Sequence, residues 1–512
     1  MKRNNEYHKI AEYVKKYIII VVPFLISSYF VLFAFNYNIH EVALEQLWRP
    51  LIFAFVVALI PTLIALLCWR DSNKAVFFSG IFVILFWNYD VISGFFRDLE
   101  FVFLTDRRIL PLLILVNIYA CVLLFDFLEK KDITIKGLNK FACFIALVLI
   151  AFNVVQIISA EMSIGRTVGS NVIFPLVQAE SLQVPRDDLP NIYFFIFDEA
   201  ADLDDVETLF GFDTSDFRMF LDEKNFHIVE DSRTMYISTV LALASIFNLD
   251  YITPFISHQD LIAQGGVLPE LRDPATLEAI NNSRMVELLR SHGYRTIAYN
   301  SFPDLFTSFD NFDEVRLPLV SEGMVLTFFD SFLLDRTMLN PFQFVFHMGN
   351  VLLHPYQNTY NQLVYTLNNV SNFVPEKNQP TFLFAYFPFP HVPFVFEIDG
   401  SFRLYNYYYW RNYVDSYMYM TLRLEEIITN ILDNDENAII IIQSDHGARG
   451  HAGGFPGIDI PYIYMFRVLN LIRFPEYYEY PSMRLSPLNT IKYVFNTVLG
   501  EEFDILEEGF YD

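Results

Sequence analysis

The chain has 512 residues, enough for two or more domains, and at 53% hydrophobic and 17% aromatic it is too apolar for an ordinary soluble protein, so membrane segments are the first expectation. Its net charge of −25 is unevenly spread: residues 1–160 carry 15 Lys and Arg against 12 Asp and Glu, and residues 161–512 carry 20 against 48. So acidic a C-terminal part excludes nucleic-acid binding through its overall field, and the three cysteines (Cys68, Cys121, Cys143), all in apolar stretches, exclude a disulfide framework or a thiolate site there.

Residues 1–17 form a basic leader (Lys2, Arg3, Lys9, Lys15, Lys16), expected in the cytoplasm. The leader runs into apolar sequence with no small-residue cleavage site, which reads as a retained anchor. Apolar runs near 18–36, 47–69, 75–96, 108–128 and 141–160 are long enough to cross a bilayer, so residues 18–160 are expected to be a transmembrane domain of about five helices. The leader and the 70–74 and 129–140 loops hold 11 basic residues, whereas the loops around 37–46 and 97–107 hold only Arg97 and Arg107. The positive-inside rule then keeps the N-terminus in the cytoplasm, and five spans export the remainder of the chain.

Residues 161–187 read as a connector and 188–512 as the exported domain. There, apolar strand-like runs at 191–197, 381–387 and 438–442 alternate with helical stretches at 215–224, 284–292 and 413–432. Strands interleaved with helices imply an α/β domain with a mainly parallel central sheet.

The first of these runs ends in Asp198-Glu199, and the last runs into Ser444-Asp445-His446-Gly447. In open α/β sheets ligands bind just beyond the carboxyl ends of the strands, so these side chains are expected on one edge. Carboxylates and an imidazole with positions left open are the make-up of a catalytic metal site. The plainer readings are a helix cap for Asp198-Glu199 and a polar turn for Asp445-His446-Gly447. Ser238 and Thr239 stand directly before an apolar helical run. They are favoured N-caps, a bond worth about 1 kcal/mol. The same position sets a hydroxyl where helix N–H groups favour a phosphate and where a metal makes it a nucleophile. His391, held among Pro388, Pro390 and Pro393 after a buried strand, reads as catalytic or substrate-binding. Arg449, His451 and Ser238 are the remaining substrate-contact candidates, with a plain surface histidine the alternative for His451.

In order along the chain, these motifs are Asn191-Ile-x5-Asp198, Thr239 heading a helix, the Pro-flanked His391, and Ser444-Asp445-His446-Gly447. Over residues 188–512 they resemble the alkaline phosphatase/sulfatase superfamily, and within it membrane-anchored lipoteichoic acid synthases and phosphoethanolamine transferases. The resemblance implies a sulfatase-like fold with Asp198, Asp445 and His446 as ligands of a divalent zinc or manganese ion. Glu199 is able to stand in, because these transferases usually carry Glu where this chain has Asp198. It implies Thr239 as nucleophile, completing the coordination, and His391 as a contact to the phospho-group or the proton donor to the leaving oxygen. The activity implied is transfer of phosphoethanolamine or phosphoglycerol from a membrane phospholipid donor to a surface glycan or lipid acceptor. The enzyme would be multi-pass in a bacterial plasma (inner) membrane, with its catalytic domain extracytoplasmic. Sulfatases of the superfamily need Cys or Ser in a Cys/Ser-x-Pro-x-Arg motif, and Thr239-Val-Leu-Ala-Leu243 lacks both Pro and Arg, so sulfate-ester hydrolysis is not expected. The alternatives are a hydrolase or phosphodiesterase of the same fold and a non-catalytic membrane scaffold.

Overall fold

The computed structural model describes residues 18–39, 42, 44–98, 106–131, 134–167, 189–251, 274–300, 309–318, 327–340, 356–403, 410–449 and 460–507. It divides into two compact units, Met1–Ser163 with Gly323–Pro355, and Ile164–Glu322 with Tyr356–Asp512.

The N-terminal helices are α1 (Val22–Tyr37), α2 (Trp48–Trp69), α3 (Ser72–Trp87), α4 (Tyr89–Asp98), α5 (Asp106–Lys130) and α6 (Ile135–Thr167). Among the described residues three stretches are long and apolar enough to cross a membrane: α2, Ile109–Leu128 of α5 and Ile135–Ala160 of α6. They do not confirm the expected count of five, because composition registers apolar content but not helix ends. The first run opens in a 3-10 turn (Ile18–Val21), and its helix keeps 16 residues. The third run breaks at Asn88, leaving α3 with 16 residues, capped by Asp71 accepting from the N–H groups of Asn73 and Lys74. A buried polar pair on these helices is satisfied internally, as burial in an apolar bundle demands: Trp87 Nε1 donates to Ser27 Oγ at 2.9 Å.

The rest of the chain runs β1 (Ile192–Phe197), α7 (Leu203–Phe210), α8 (Ser215–Glu223), β2 (Phe226–Ile228), α9 (Thr239–Asn248), α10 (Pro274–Asn281), α11 (Arg284–Ser291), β3 (Arg295–Asn300), β4 (Glu314–Arg316), α12 (Phe328–Asp335), α13 (Gln357–Ser371), β5 (Thr381–Phe387), α14 (Trp410–Asn434), β6 (Ile439–Ser444), β7 (Asn470–Arg473) and α15 (Pro487–Leu499). Of these, α12 belongs to the first unit. A Thr327–Asp330 capping box starts it, and its Phe329 and Leu333 are buried in one cluster with Phe35 of α1 and Phe86 of α3.

The second unit is built on a seven-stranded sheet in the order β2-β7-β6-β1-β5-β3-β4, parallel except for β7, which runs against both its neighbours. Both faces of the central strands are covered. Ile192, Phe194 and Ile196 pack with α9, α10, α11 and α15, while Tyr193, Phe195 and Phe197 pack with α7, α13 and α14. That double cover is why β1, β5 and β6 read as unbroken apolar runs rather than alternating ones. Each such side chain contributes about 1.5–3 kcal/mol by leaving water. The register sets Phe197 level with Ser444 on one side and Phe387 on the other, so β1, β5 and β6 end together at one edge. This is an α/β domain with a mixed, mostly parallel central sheet.

Candidate metal centre

Three neighbouring strand ends deliver the polar residues of this edge. Asp198 follows β1, Asp445 and His446 follow β6, and all three are buried. His446 Nε2 lies 3.3 Å from Asp198 Oδ1 and 3.8 Å from Asp445 Oδ2. One ligand atom from each residue falls within 4.8 Å of the others. Among the described residues, Asp198 Oδ1, Asp445 Oδ2 and His446 Nε2 are moreover buried without a hydrogen-bond partner. Left so, each orphaned atom costs about 1–3 kcal/mol.

The other atoms of the same side chains are occupied. Asp198 Oδ2 accepts the Tyr386 hydroxyl at 2.6 Å. Asp445 Oδ1 accepts the N–H groups of Glu199 at 3.2 Å and His446 at 2.9 Å. His446 Nδ1 donates to the Gly447 carbonyl at 3.0 Å, which fixes the tautomer and leaves Nε2 as the lone-pair nitrogen. Two carboxylate oxygens and one imidazole nitrogen, converging and otherwise unsatisfied, suit a divalent cation. Burial pushes the Asp198 carboxyl up, but His391, His446 and Tyr386 outweigh it and hold it well below the usual carboxylate range. Burial and the neighbouring Asp198 charge raise Asp445. Burial works against charge on His446, yet Asp445 and Asp198 prevail and raise it.

The turn after β1 is held from three sides. Glu199 adopts the left-handed conformation (φ 63°), which disfavours side chains beyond Gly by about 1–2 kcal/mol. Its carbonyl accepts the Tyr413 hydroxyl at 2.8 Å, and the same hydroxyl accepts from the Ala201 N–H at 3.2 Å. One helical turn on, Tyr417 donates to the Ala201 carbonyl at 2.8 Å. The Ala200 N–H reaches Ser444 Oγ at 2.8 Å, and that hydroxyl donates to the His446 carbonyl at 2.8 Å, tying the two loops together. Gly447 is required after them: a Cβ there would run into the backbone carbonyls of Tyr464 and Arg467.

Thr239 is the first residue of α9, buried, with its hydroxyl in hydrogen-bond reach of both Asp445 and Tyr386. Ser238 occupies the N-cap position in an extended conformation, but no side-chain capping bond forms. His391 is held by its N–H on the Asp198 carbonyl at 3.1 Å and by Nδ1 donating to the Val392 carbonyl at 2.6 Å. That leaves Nε2 facing Glu199 Oε2 at 3.8 Å, with the ring 6.2 Å from that of His446. Glu199, expected as a stand-in ligand, is not one of the three converging groups. Its Oε1 accepts from the Arg449 N–H at 2.8 Å and its Oε2 faces His391. The Arg449 guanidinium donates to the Ile237 carbonyl at 2.7 Å, two residues before Thr239. His451 lies outside the described residues.

The fold thus brings Asp198, Thr239, His391, Asp445 and His446 to one edge, with Glu199, Ser238 and Arg449 around them. Sequence reasoning missed Tyr386, Tyr413, Tyr417 and the bridging role of Ser444. Only the four-residue spacing of Tyr413 and Tyr417 on one helix face hinted at a joint task.

Among solved structures, the chain is similar to the C-terminal periplasmic domain of EcEptC from Escherichia coli (10% identity over 61% of this chain and 82% of that one, TM-score 0.38). It is similar also to the C-terminal periplasmic domain of phosphoethanolamine transferase EptC from Campylobacter jejuni (12%, 61% and 91%, TM-score 0.36) and to the lipoteichoic acid synthase LtaP from Listeria monocytogenes (13%, 57% and 67%, TM-score 0.32). No curated protein matches the chain. The family model named Sulfatase matches residues 237–484, which include Thr239, His391, Asp445 and His446. The match to the Sulfatase family over residues 237–484 agrees with the resemblance to the alkaline phosphatase/sulfatase superfamily read from the motifs.

Proposed function

We propose that this protein is a metal-dependent membrane phosphotransferase that moves a phosphoethanolamine or phosphoglycerol group from a phospholipid to a surface glycan or lipid. The observation that carries the reading is the convergence of Asp198 Oδ1, Asp445 Oδ2 and His446 Nε2, all buried and unpartnered, beside the Thr239 hydroxyl. Asp198, Asp445 and His446 would hold zinc or manganese. When bound, that ion supplies positive charge that eases ionisation of a hydroxyl and offsets charge on phosphoryl oxygens. Thr239 Oγ1 forms a bond to phosphorus, its proton passing to solvent, while the bond from phosphorus to the lipid's glyceryl oxygen breaks and that oxygen leaves with a proton from His391. The acceptor hydroxyl then bonds to the same phosphorus and returns a proton to His391, and Thr239 departs and regains its own. The net change is donor plus acceptor alcohol to diacylglycerol plus phosphorylated acceptor. Arg449 and Ser238, and His451 further along, are assigned to the substrate. The apolar α2, α5 and α6 give the reading its setting: a tethered catalytic domain, residues 188–512, outside a bacterial inner membrane, in one plane with its lipid donor.

The test is peptide mass spectrometry of the metal-loaded chain after incubation with mixed phospholipids. A head-group phosphate on the Thr239 peptide is expected, and its mass names the group. Head group released to water with no acceptor present would replace the transferase by a phosphodiesterase. A chain with neither metal nor adduct would be a scaffold.

A further inference from the structure

Tyr386, the sixth residue of β5, is wholly buried, and its hydroxyl reaches both arms of the centre. It donates to Asp198 Oδ2 at 2.6 Å and lies in hydrogen-bond reach of Thr239. A phenol has one proton to give, and here it is committed to Asp198. With Oδ2 held, Asp198 has one oxygen left, Oδ1, and that is the orphaned atom turned toward Asp445 and His446. Without the bond, rotation about the carboxylate's last torsion would exchange the two oxygens freely, since that torsion is broad and roughly two-fold.

We propose that Tyr386 is the positioning residue of this centre: by holding Asp198 Oδ2 it makes Asp198 a single-oxygen ligand. The inference rests on reading Asp198, Asp445 and His446 as a metal site and adds a residue outside that set. The partner hydroxyls of metal ligands act in this way in general, and their removal weakens metal binding about 10- to 100-fold. The sheet supplies its own control. Tyr193 of β1 is equally buried, but among the described residues its hydroxyl has no hydrogen-bond partner, so deleting that oxygen removes nothing the centre uses.

The experiment titrates the full chain, in detergent, with Zn2+ against a competing chelator, comparing Tyr386→Phe and Tyr193→Phe with the wild type. Tyr386→Phe should bind Zn2+ about 10- to 100-fold more weakly and Tyr193→Phe should match the wild type. Wild-type affinity in Tyr386→Phe, or an equal loss in Tyr193→Phe, overturns the assignment. Failure of the wild type itself to bind Zn2+ removes the metal reading, and the assignment falls with it. X-ray absorption at the zinc edge of the wild-type chain needs no variant. One oxygen from Asp198 is expected at about 2.0–2.2 Å, and a carboxylate bound through both oxygens would overturn the proposal.

Discussion

The Glu199 N–H donates to Asp445 Oδ1 at 3.2 Å, so the turn leaving β1 is fastened to a side chain that leaves β6. One oxygen of Asp445 thereby shapes the backbone and the other is free for a cation. With no cation present, two buried carboxylates face each other, and burial together with the Asp198 charge raises Asp445. A bound divalent ion relieves that repulsion and stabilises the fold by mass action, about 2.7 kcal/mol at a hundred times its dissociation constant. Zn2+ or Mn2+ should therefore raise the melting temperature of chelator-treated wild type. Asp445→Asn should abolish the rise while melting no lower than the metal-free wild type. A metal-dependent shift that survives in Asp445→Asn would take this residue out of the ligand set.

The left-handed turn at Glu199 depends on Tyr413, whose hydroxyl donates to the Glu199 carbonyl and accepts from Ala201, whereas Tyr417 supplies one bond to the Ala201 carbonyl. Tyr413→Phe should destabilise the domain by about 1–3 kcal/mol, since it strands two buried backbone groups, and Tyr417→Phe by about half of that. Denaturant melts of the two variants check the order. Equal losses would mean that the turn holds without the clamp.

The strands that carry the site were legible because burial on both faces leaves no alternation to misread: β1, β5 and β6 appear as apolar runs ending in Asp198, in the Pro-bounded His391 loop and in Asp445-His446. Strands β2 and β7 were not, being only three and four residues long and set by antiparallel pairing with a strand far away in sequence. Tyr386 and Tyr413 were hidden for another reason. In a chain with 30 Tyr and 54 Phe an aromatic ring reads as bulk, and only the fold reveals which hydroxyl has a partner. The membrane runs were legible as apolar content, but the break at Asn88 and the late start at Val22 depend on helix ends.

Asp205 lies buried in α7, with Arg467 Nε at 3.1 Å from one oxygen and, among the described residues, no hydrogen bond to the other. Burial raises its carboxyl to about 8, with Asp202, Asp204 and Asp231 adding to it and Arg467 opposing. The folded value stands above an unfolded value of about 3.9, so the native state holds the proton longer. The stability this confers is complete below pH of about 4 and is lost as pH rises through about 8. Asp205→Asn removes the linkage. Its stability relative to wild type should improve by up to about 4 kcal/mol between pH 5 and pH 8.5, about three pKa units at about 1.4 each. Chemical unfolding at the two pH values measures it, and a constant difference would show that Arg467 keeps Asp205 ionised throughout.

Thr239 separates a structural from a chemical role at one atom. A side chain that capped α9 would lose about 1 kcal/mol on truncation to Ala. No side-chain capping bond forms at the start of this helix, and the Thr239 hydroxyl is turned toward Asp445 and Tyr386 instead. Thr239→Ala should thus leave stability within about 0.5 kcal/mol, as Ala is the better helix former and its loss of a hydroxyl costs the helix nothing. It should leave Zn2+ binding measurable, because Asp198, Asp445 and His446 supply the three converging atoms. Phospholipid-dependent labelling of the protein should vanish in Thr239→Ala and persist, more slowly, in Thr239→Ser, which keeps the oxygen and loses only the methyl group that restricts its rotamers. Denaturant melts, Zn2+ titration and mass spectrometry on the same three proteins decide the matter. A stability loss with labelling intact would return Thr239 to the helix and leave the phosphoryl acceptor to be sought elsewhere on this edge.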